Sequence, residues 1–292
     1  MEETLSNSRF ITYHRNQINP QPDPPSTLTF AYGTSKYSKF IPFIPSSNLL
    51  SVLDKIVHQM KSDDSTLRKK VLHEINEDFH QADKLNEALD SGILMCLIYC
   101  CREQCDVTRE LASRAILKIA NTEKGRVTLV SSRSLAIVAN LFDDSVTQIR
   151  HNAYTCLINL AQFIYGITSI IDADILRVLV DKLVAEREEI ILILILKLMN
   201  ICLEGDLATS LLLNTPVLQR LNMHLTSGNW EIRKLSAENL GSISYNVMGK
   251  RSTIEAESIP PLCEMLTDEI FEVRASAVRA LASLAQLKEG KI

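Results

Sequence analysis

Residues 190–202 read IILILILKLMNIC, the most apolar run in the chain. Ile190 to Leu196 holds only Ile and Leu, a composition that suits a strand buried on both faces as well as a buried helix. A membrane-spanning helix needs about 20 apolar residues, and here Lys197 follows after seven. The run does not read as a membrane span. Whether it is strand or helix depends on its neighbours.

The whole chain has 292 residues, 5% aromatics, nine Gly, nine Pro and a formal net charge of −4. Sparse aromatics with abundant Leu, Ile and Ala lean towards helix. No basic run is visible, so neither nucleic acid nor an anionic membrane surface is expected as a partner. The opening MEETLSNSRF lacks the basic start and apolar core of a signal peptide. A soluble intracellular protein is expected.

Five segments share one pattern: STLRKKVLHEI at 65, DVTRELASRAILKIA at 106, TQIRHNAYTCLINLA at 147, WEIRKLSAENLGSIS at 230 and FEVRASAVRALASLA at 271. Aligned on Arg68, Arg109, Arg150, Arg233 and Arg274, they are 41, 41, 83 and 41 residues apart. The double gap places a further unit near residue 191, inside the apolar run, with LMNIC on the columns of LINLA and LASLA. Gly125, Gly166, Gly249 and Gly290 lie 16 residues beyond their anchors, and Gly205 comes two residues early. Two markers in phase define an internal repeat.

Each unit reads as an apolar helix (PPLCEMLTD, SLAIVANLFDD), a polar turn, and a longer helix with an apolar stripe. In the last unit that stripe is Ala277, Leu281, Leu284 and Ala285, one face of an amphipathic helix. The marker glycine is expected to end the long helix in the left-handed conformation. Units of about 40 to 47 residues with two or three helices form the armadillo and HEAT class. The expectation is an all-α, right-handed α-solenoid of about six repeats over residues 48–292, with an extended arm over 1–47. Residues 190–202 become the long helix of unit four.

From about Asn48 the chain is similar to armadillo-repeat proteins. Its wording at LFDDSVTQIRHNAYTCLINLAQ (141–162), at 179–221 with EREE and CLEGDLAT, and at GNWEIRKLSAENLGSIS (228–244) resembles the radial spoke head 14 homologue family of ciliary axonemes. Ala31–Gly33 (AYG) matches that family's segment before the repeats. Two departures stand out: a longer linker after AYG, and further helical sequence that the family carries beyond the position of Ile292. The resemblance implies a non-enzymatic structural subunit of the radial spoke, in the cilium or flagellum, with other axonemal proteins as partners. A soluble cytoplasmic or nuclear adaptor binding extended peptides is the alternative.

In armadillo proteins the long helices line a groove, and by resemblance two columns carry the Trp and Asn side chains that hold a peptide in importin-type repeats. Those columns here read His73, Arg114, Thr155, Leu196, Glu238, Arg279 and Glu77, Lys118, Asn159, Asn200, Ser242, Ser283. They contain no Trp and two Asn, which argues against recognition of nuclear-import signals. Ile193 and Leu196 are expected either to form an apolar partner patch in the groove or to be buried by local curvature. The arm holds six of the nine prolines, which favour extended chain, and aromatics suited to anchoring; Tyr32, Tyr37, Phe40 and Phe43 are its candidate partner contacts.

No catalytic, cofactor-binding or metal-ligating set is read, and no small-molecule substrate is expected. HEINEDFH at 73 spaces its histidines seven apart rather than four, and GKRST at 249 has Ser244 where a phosphate loop needs glycine. Cys96, Cys100, Cys101 and Cys105 lack zinc-site spacing and read as small core residues. The last unit keeps Ala275, Ala282 and Ala285 near a surface that a further unit would cover, so its outer face is expected to dock on another subunit or a second copy. Arg274, Arg279, Gln286, Lys288 and Lys291 would solvate part of that face.

Overall fold

The computed structural model describes residues 52–62 and 64–285. The arm contacts Tyr32, Tyr37, Phe40 and Phe43, and Gln286, Lys288, Gly290 and Lys291, lie outside the described residues. Those described belong to one compact unit, Asn48–Ile292. Among them are 17 α-helices, two short 3-10 turns and no strand. The expected long helices are Ser65–Asp78, Asp106–Ala120, Thr147–Ala161, Glu189–Cys202, Trp230–Ile243 and Phe271–Ala285. Each pair of successive long helices is joined by two shorter ones, as Ile164–Asp172 and Ile175–Ala185 join units three and four. The chain is an armadillo/HEAT-type α-solenoid.

Each long helix buries its stripe against the adjacent units. In unit two Ala112, Ile116, Ile119 and Ala120 are all buried; in unit six Ala277 and Leu284 are buried, Leu281 is half-buried and Ala285 exposed. Phe142 stacks on Tyr154 with ring centroids 3.9 Å apart, filling the space under unit three. Polar caps set several helix starts. Asp64 accepts from the Thr66 N–H at 2.8 Å, and Asn229 accepts from the Glu231 N–H at 2.9 Å. Both satisfy N–H groups the helix cannot bond internally.

The marker glycines do not end helices in the left-handed conformation. Gly125, Gly166 and Gly249 lie inside the first turn of the next helix, and among the described glycines only Gly92 has positive φ. Their role is steric. A Cβ at these positions would sit 2.0, 2.0 and 1.7 Å from the carbonyl oxygens of Ile119, Leu160 and Ile243, at the end of the preceding long helix. The left-handed residues are instead Gly92, Arg133, Asp174 and Glu257, where the two short helices meet. They keep the same period, with Pro216 in the place of unit four, and proline cannot adopt positive φ.

The anchor arginines are the clamps of the array. Arg109 binds Asp144 in a fork, Nε to Oδ2 at 2.7 Å and Nη2 to Oδ1 at 3.1 Å, while its Nη1 donates to the Glu103 carbonyl at 3.0 Å. Arg68 with Glu103, Arg150 with Glu186, and Arg233 with Asp268 repeat the arrangement. Each joins one unit to the turn of the next. Asp268 is held below the usual carboxylate range, first by its bond from Arg233. Burial opposes ionisation of Asp144 and Glu186, but their arginine partners and nearby backbone N–H groups outweigh it and hold both low as well.

Unit four breaks this pattern at both ends. The acidic partner sits six residues before the next anchor (Asp144 before Arg150), so Glu186 puts the unit-four anchor at Leu192, one residue later than the sequence alignment. The residue that would meet it is Ser227, and the clamp is missing together with its partner. Burial confirms the shift: exposed and buried positions along 189–204 follow those along 147–162 at a displacement of 42 residues, not 41. The helix Ile175–Ala185, with 11 residues, accommodates the extra one.

Candidate functional site: the face lined by the long helices

One residue of register in a helix is about a 100° rotation, and it changes which side chains of unit four face outward. Leu196 becomes the counterpart of Tyr154 and is fully buried; Ile193 is 6% exposed. Neither is an apolar patch in the groove, and burial is the reading that holds. Lys197 and Ile201 occupy the two columns instead, both partly exposed. Asn200 stays at the surface one position aside. The true columns therefore read His73, Arg114, Thr155, Lys197, Glu238, Arg279 and Glu77, Lys118, Asn159, Ile201, Ser242, Ser283. The clue was in the acidic turn EREE, whose first Glu fixes the anchor; matching LMNIC to LINLA by letter concealed it.

The polar side chains of this face are largely engaged with the adjacent unit. Lys118 Nζ donates to the Asn76 carbonyl and meets His80 Nε2 at 3.1 Å. Asn159 Nδ2 donates to Asn121 Oδ1 at 2.6 Å, and Ser242 Oγ to Asn200 Oδ1 at 2.9 Å. Glu238 receives Arg279 at 3.2 Å and the Ser276 hydroxyl at 3.1 Å. Arg114 pairs with Glu110 within its own helix at 2.6 Å. Thr155 and Ser283 are half-buried. Burial holds the Lys118 ammonium below the usual lysine range, with Glu77 opposing and Arg114 adding to the effect. The face offers mixed charge and a few amides.

Of the cysteine cluster, Cys96, Cys100 and Cys101 are buried, and burial pushes the Cys100 thiol up to about 12. Cys105 is only half-buried, at the start of helix Asp106–Ala120, and the Thr108 N–H and hydroxyl lower its thiol to about 7. Among the described residues no three His, Cys, Asp or Glu side chains converge as a metal site, and no helix is long and apolar enough to cross a membrane.

A HEAT-repeat family model matches residues 259–287, which hold both helices of unit six. Among solved structures, a computationally designed armadillo repeat protein for modular peptide recognition superposes with TM-score 0.72 at 21% identity, over 79% of this chain and 99% of its own. A designed armadillo repeat protein in complex with the peptide (KR)4 gives 0.71 at 21% identity, over 80% of this chain and 100% of its own. An engineered protein gives 0.70 at 22% identity, over 82% and 100%. These likenesses fix the architecture. The chain shares the helical-repeat fold of these proteins.

Proposed function

We propose that this chain is a non-enzymatic structural subunit of the ciliary or flagellar axoneme, within the radial spoke, acting as a protein-docking beam. The sequence support is the likeness to the radial spoke head 14 homologue family over 141–162, 179–221 and 228–244. The structural observation that carries the beam reading is the unit-to-unit bonding of the long-helix face. Lys118, Asn159, Ser242 and Arg279 each reach back to the preceding unit, so groups that a peptide-holding groove would offer a ligand instead tie the array together. Side chains already paired in this way stiffen the solenoid and leave fewer donors for an extended backbone.

The second reading is a cytoplasmic or nuclear adaptor that holds a peptide in the groove, which the peptide complex of a designed neighbour favours. An epitope-tagged copy expressed in ciliated cells distinguishes the two. Retention in the detergent-extracted axoneme, at the position of the spokes, is expected for the structural subunit. A tagged protein that washes out with detergent, or collects in nuclei or at junctions, would overturn the spoke assignment.

A further inference from the structure

The starts of the last three long helices bring bulky apolar side chains to one exposed edge of the solenoid, away from the long-helix face. Ile190 is 51% exposed, Trp230 42% and Phe271 68%. The matching positions in units one to three are Ser65, Thr66, Asp106, Thr147, Gln148 and a single apolar residue, Val107. The three apolar residues lie on neighbouring helices. Asn229, beside Trp230, donates to Glu189, beside Ile190, at 2.8 Å, and the Arg233–Asp268 clamp joins the helix of Trp230 to the turn before Phe271. Packed helices are about 8–10 Å apart, so the stripe runs in steps of about that length.

Around the stripe the charge is acidic. Glu188, Glu269 and Glu272 are exposed. Arg187 is exposed among them, and Lys234, one turn after Trp230, is partly exposed; Arg274 turns its guanidinium to the Asp268 and Glu269 carbonyls at 2.7 and 3.0 Å, with Cζ 5.7 Å from the centroid of the Phe271 ring. An acidic residue in a first turn is explained by the helix dipole, which covers Glu272. The same dipole favours Glu188 at its N-cap position and Glu269 just before its helix; it does not account for the exposed Ile190, Trp230 and Phe271 beside them. Aromatic anchors ringed by charge are the usual build of a docking hot spot.

We infer that this edge, centred on Trp230, docks a basic amphipathic helix of a partner protein. Seven residues of α-helix rise about 10.5 Å, close to the step between neighbouring units. Apolar side chains at heptad spacing would therefore meet Ile190, Trp230 and Phe271 in turn, with flanking Lys or Arg against Glu188, Glu269 and Glu272. A second copy presenting the same edge would set carboxylates against carboxylates, which disfavours that occupant.

Trp230 is the chain's only tryptophan, so it reports on this edge alone. The test titrates the 292-residue protein with a labelled amphipathic helical peptide of Leu and Lys, and with its Leu and Glu counterpart. Peptide anisotropy and Trp230 emission are read together. The Leu/Lys peptide is expected to saturate, shift Trp230 emission to the blue and weaken with added salt. Changing Glu188, Glu269 and Glu272 together to Lys should weaken binding about tenfold or more, roughly 1.4 kcal/mol, while Glu238→Lys in the groove leaves it unchanged. Because all three glutamates are exposed, the triple variant should keep its fold and cooperative melt, with a small drop in melting temperature from lysines at helix N-termini. Four results each overturn the proposal: no binding, equal binding of the Leu/Glu peptide, binding lost with Glu238→Lys while Trp230 emission stays still, or a concentration-dependent dimer that the triple variant dissolves.

Discussion

Glu257 is held at a φ of 56° where two short helices meet. In that region the Cβ of an ordinary residue crowds the backbone at a cost of about 1 kcal/mol or more, which glycine escapes. Glu257 is exposed, so Glu257→Gly removes the crowding and leaves the core packing as it is. The expected gain is about 0.5–1 kcal/mol after the added freedom of the unfolded chain is counted, seen as a higher melting temperature. The opposite holds at Gly249, where a Cβ would lie 1.7 Å from the Ile243 carbonyl. Gly249→Ala must push the short helix off the long one and should lose more than about 2 kcal/mol in a urea titration. An unchanged midpoint would show that the junction yields freely. The phase of these glycines was legible in the sequence, but their reason was not. A string of letters gives the interval at which small residues recur, and only packing says which neighbouring atom forbids a Cβ.

A helix such as Glu189–Cys202 has so many apolar residues that its sequence pattern hides its register. Leu196 is fully buried, so Leu196→Ala should cost about 2–5 kcal/mol, whereas Ile201→Ala, at a half-buried position, should cost clearly less. Equal losses at both positions would contradict the shifted register. The helix was legible from the repeat; which of its faces looks outward depended on one extra residue in the preceding helix. The same helix carries a second lesson. The clamp is missing here as a pair, with Leu192 and Ser227 standing where Arg and Asp or Glu stand elsewhere. Removing one member of a buried ion pair strands the other, at about 3–5 kcal/mol, whereas removing both can be nearly neutral. Arg109 and Asp144 side chains are 14% and 7% exposed. Asp144→Ser alone should therefore be severely destabilising, and adding Arg109→Leu should recover much of the loss. A double-mutant cycle by chemical denaturation measures the recovery. Strictly additive losses would mean that the two side chains do not act as a unit.

At the scale of the whole molecule the clamps make a solenoid whose units do not all answer acid alike. The contacts between units two and three, three and four, and five and six use Asp144, Glu186 and Asp268, all held below the usual carboxylate range. Unfolding returns these groups to an ordinary pKa of about 4, so the unfolded chain takes up protons at a higher pH than the folded one. Their contribution to stability is complete above the unfolded value and is lost as pH falls through the lower folded values. Units four and five meet without such a clamp: the ion pair between their long helices is the more exposed Lys197–Glu231, at 2.8 Å, and the buried Leu192, Ile195, Leu196, Leu240 and Ile243 on those helices do not titrate. Nearest-neighbour contacts dominate the stability of a repeat array, so acid should open it from the clamped contacts first. Amide exchange, compared at neutral pH and near pH 3 against intrinsic rates, should show protection in 106–161 and 259–285 falling before that of 189–243. Loss spread evenly over the array, or beginning in 189–243, would show that apolar packing rather than the arginine clamps sets where the solenoid gives way.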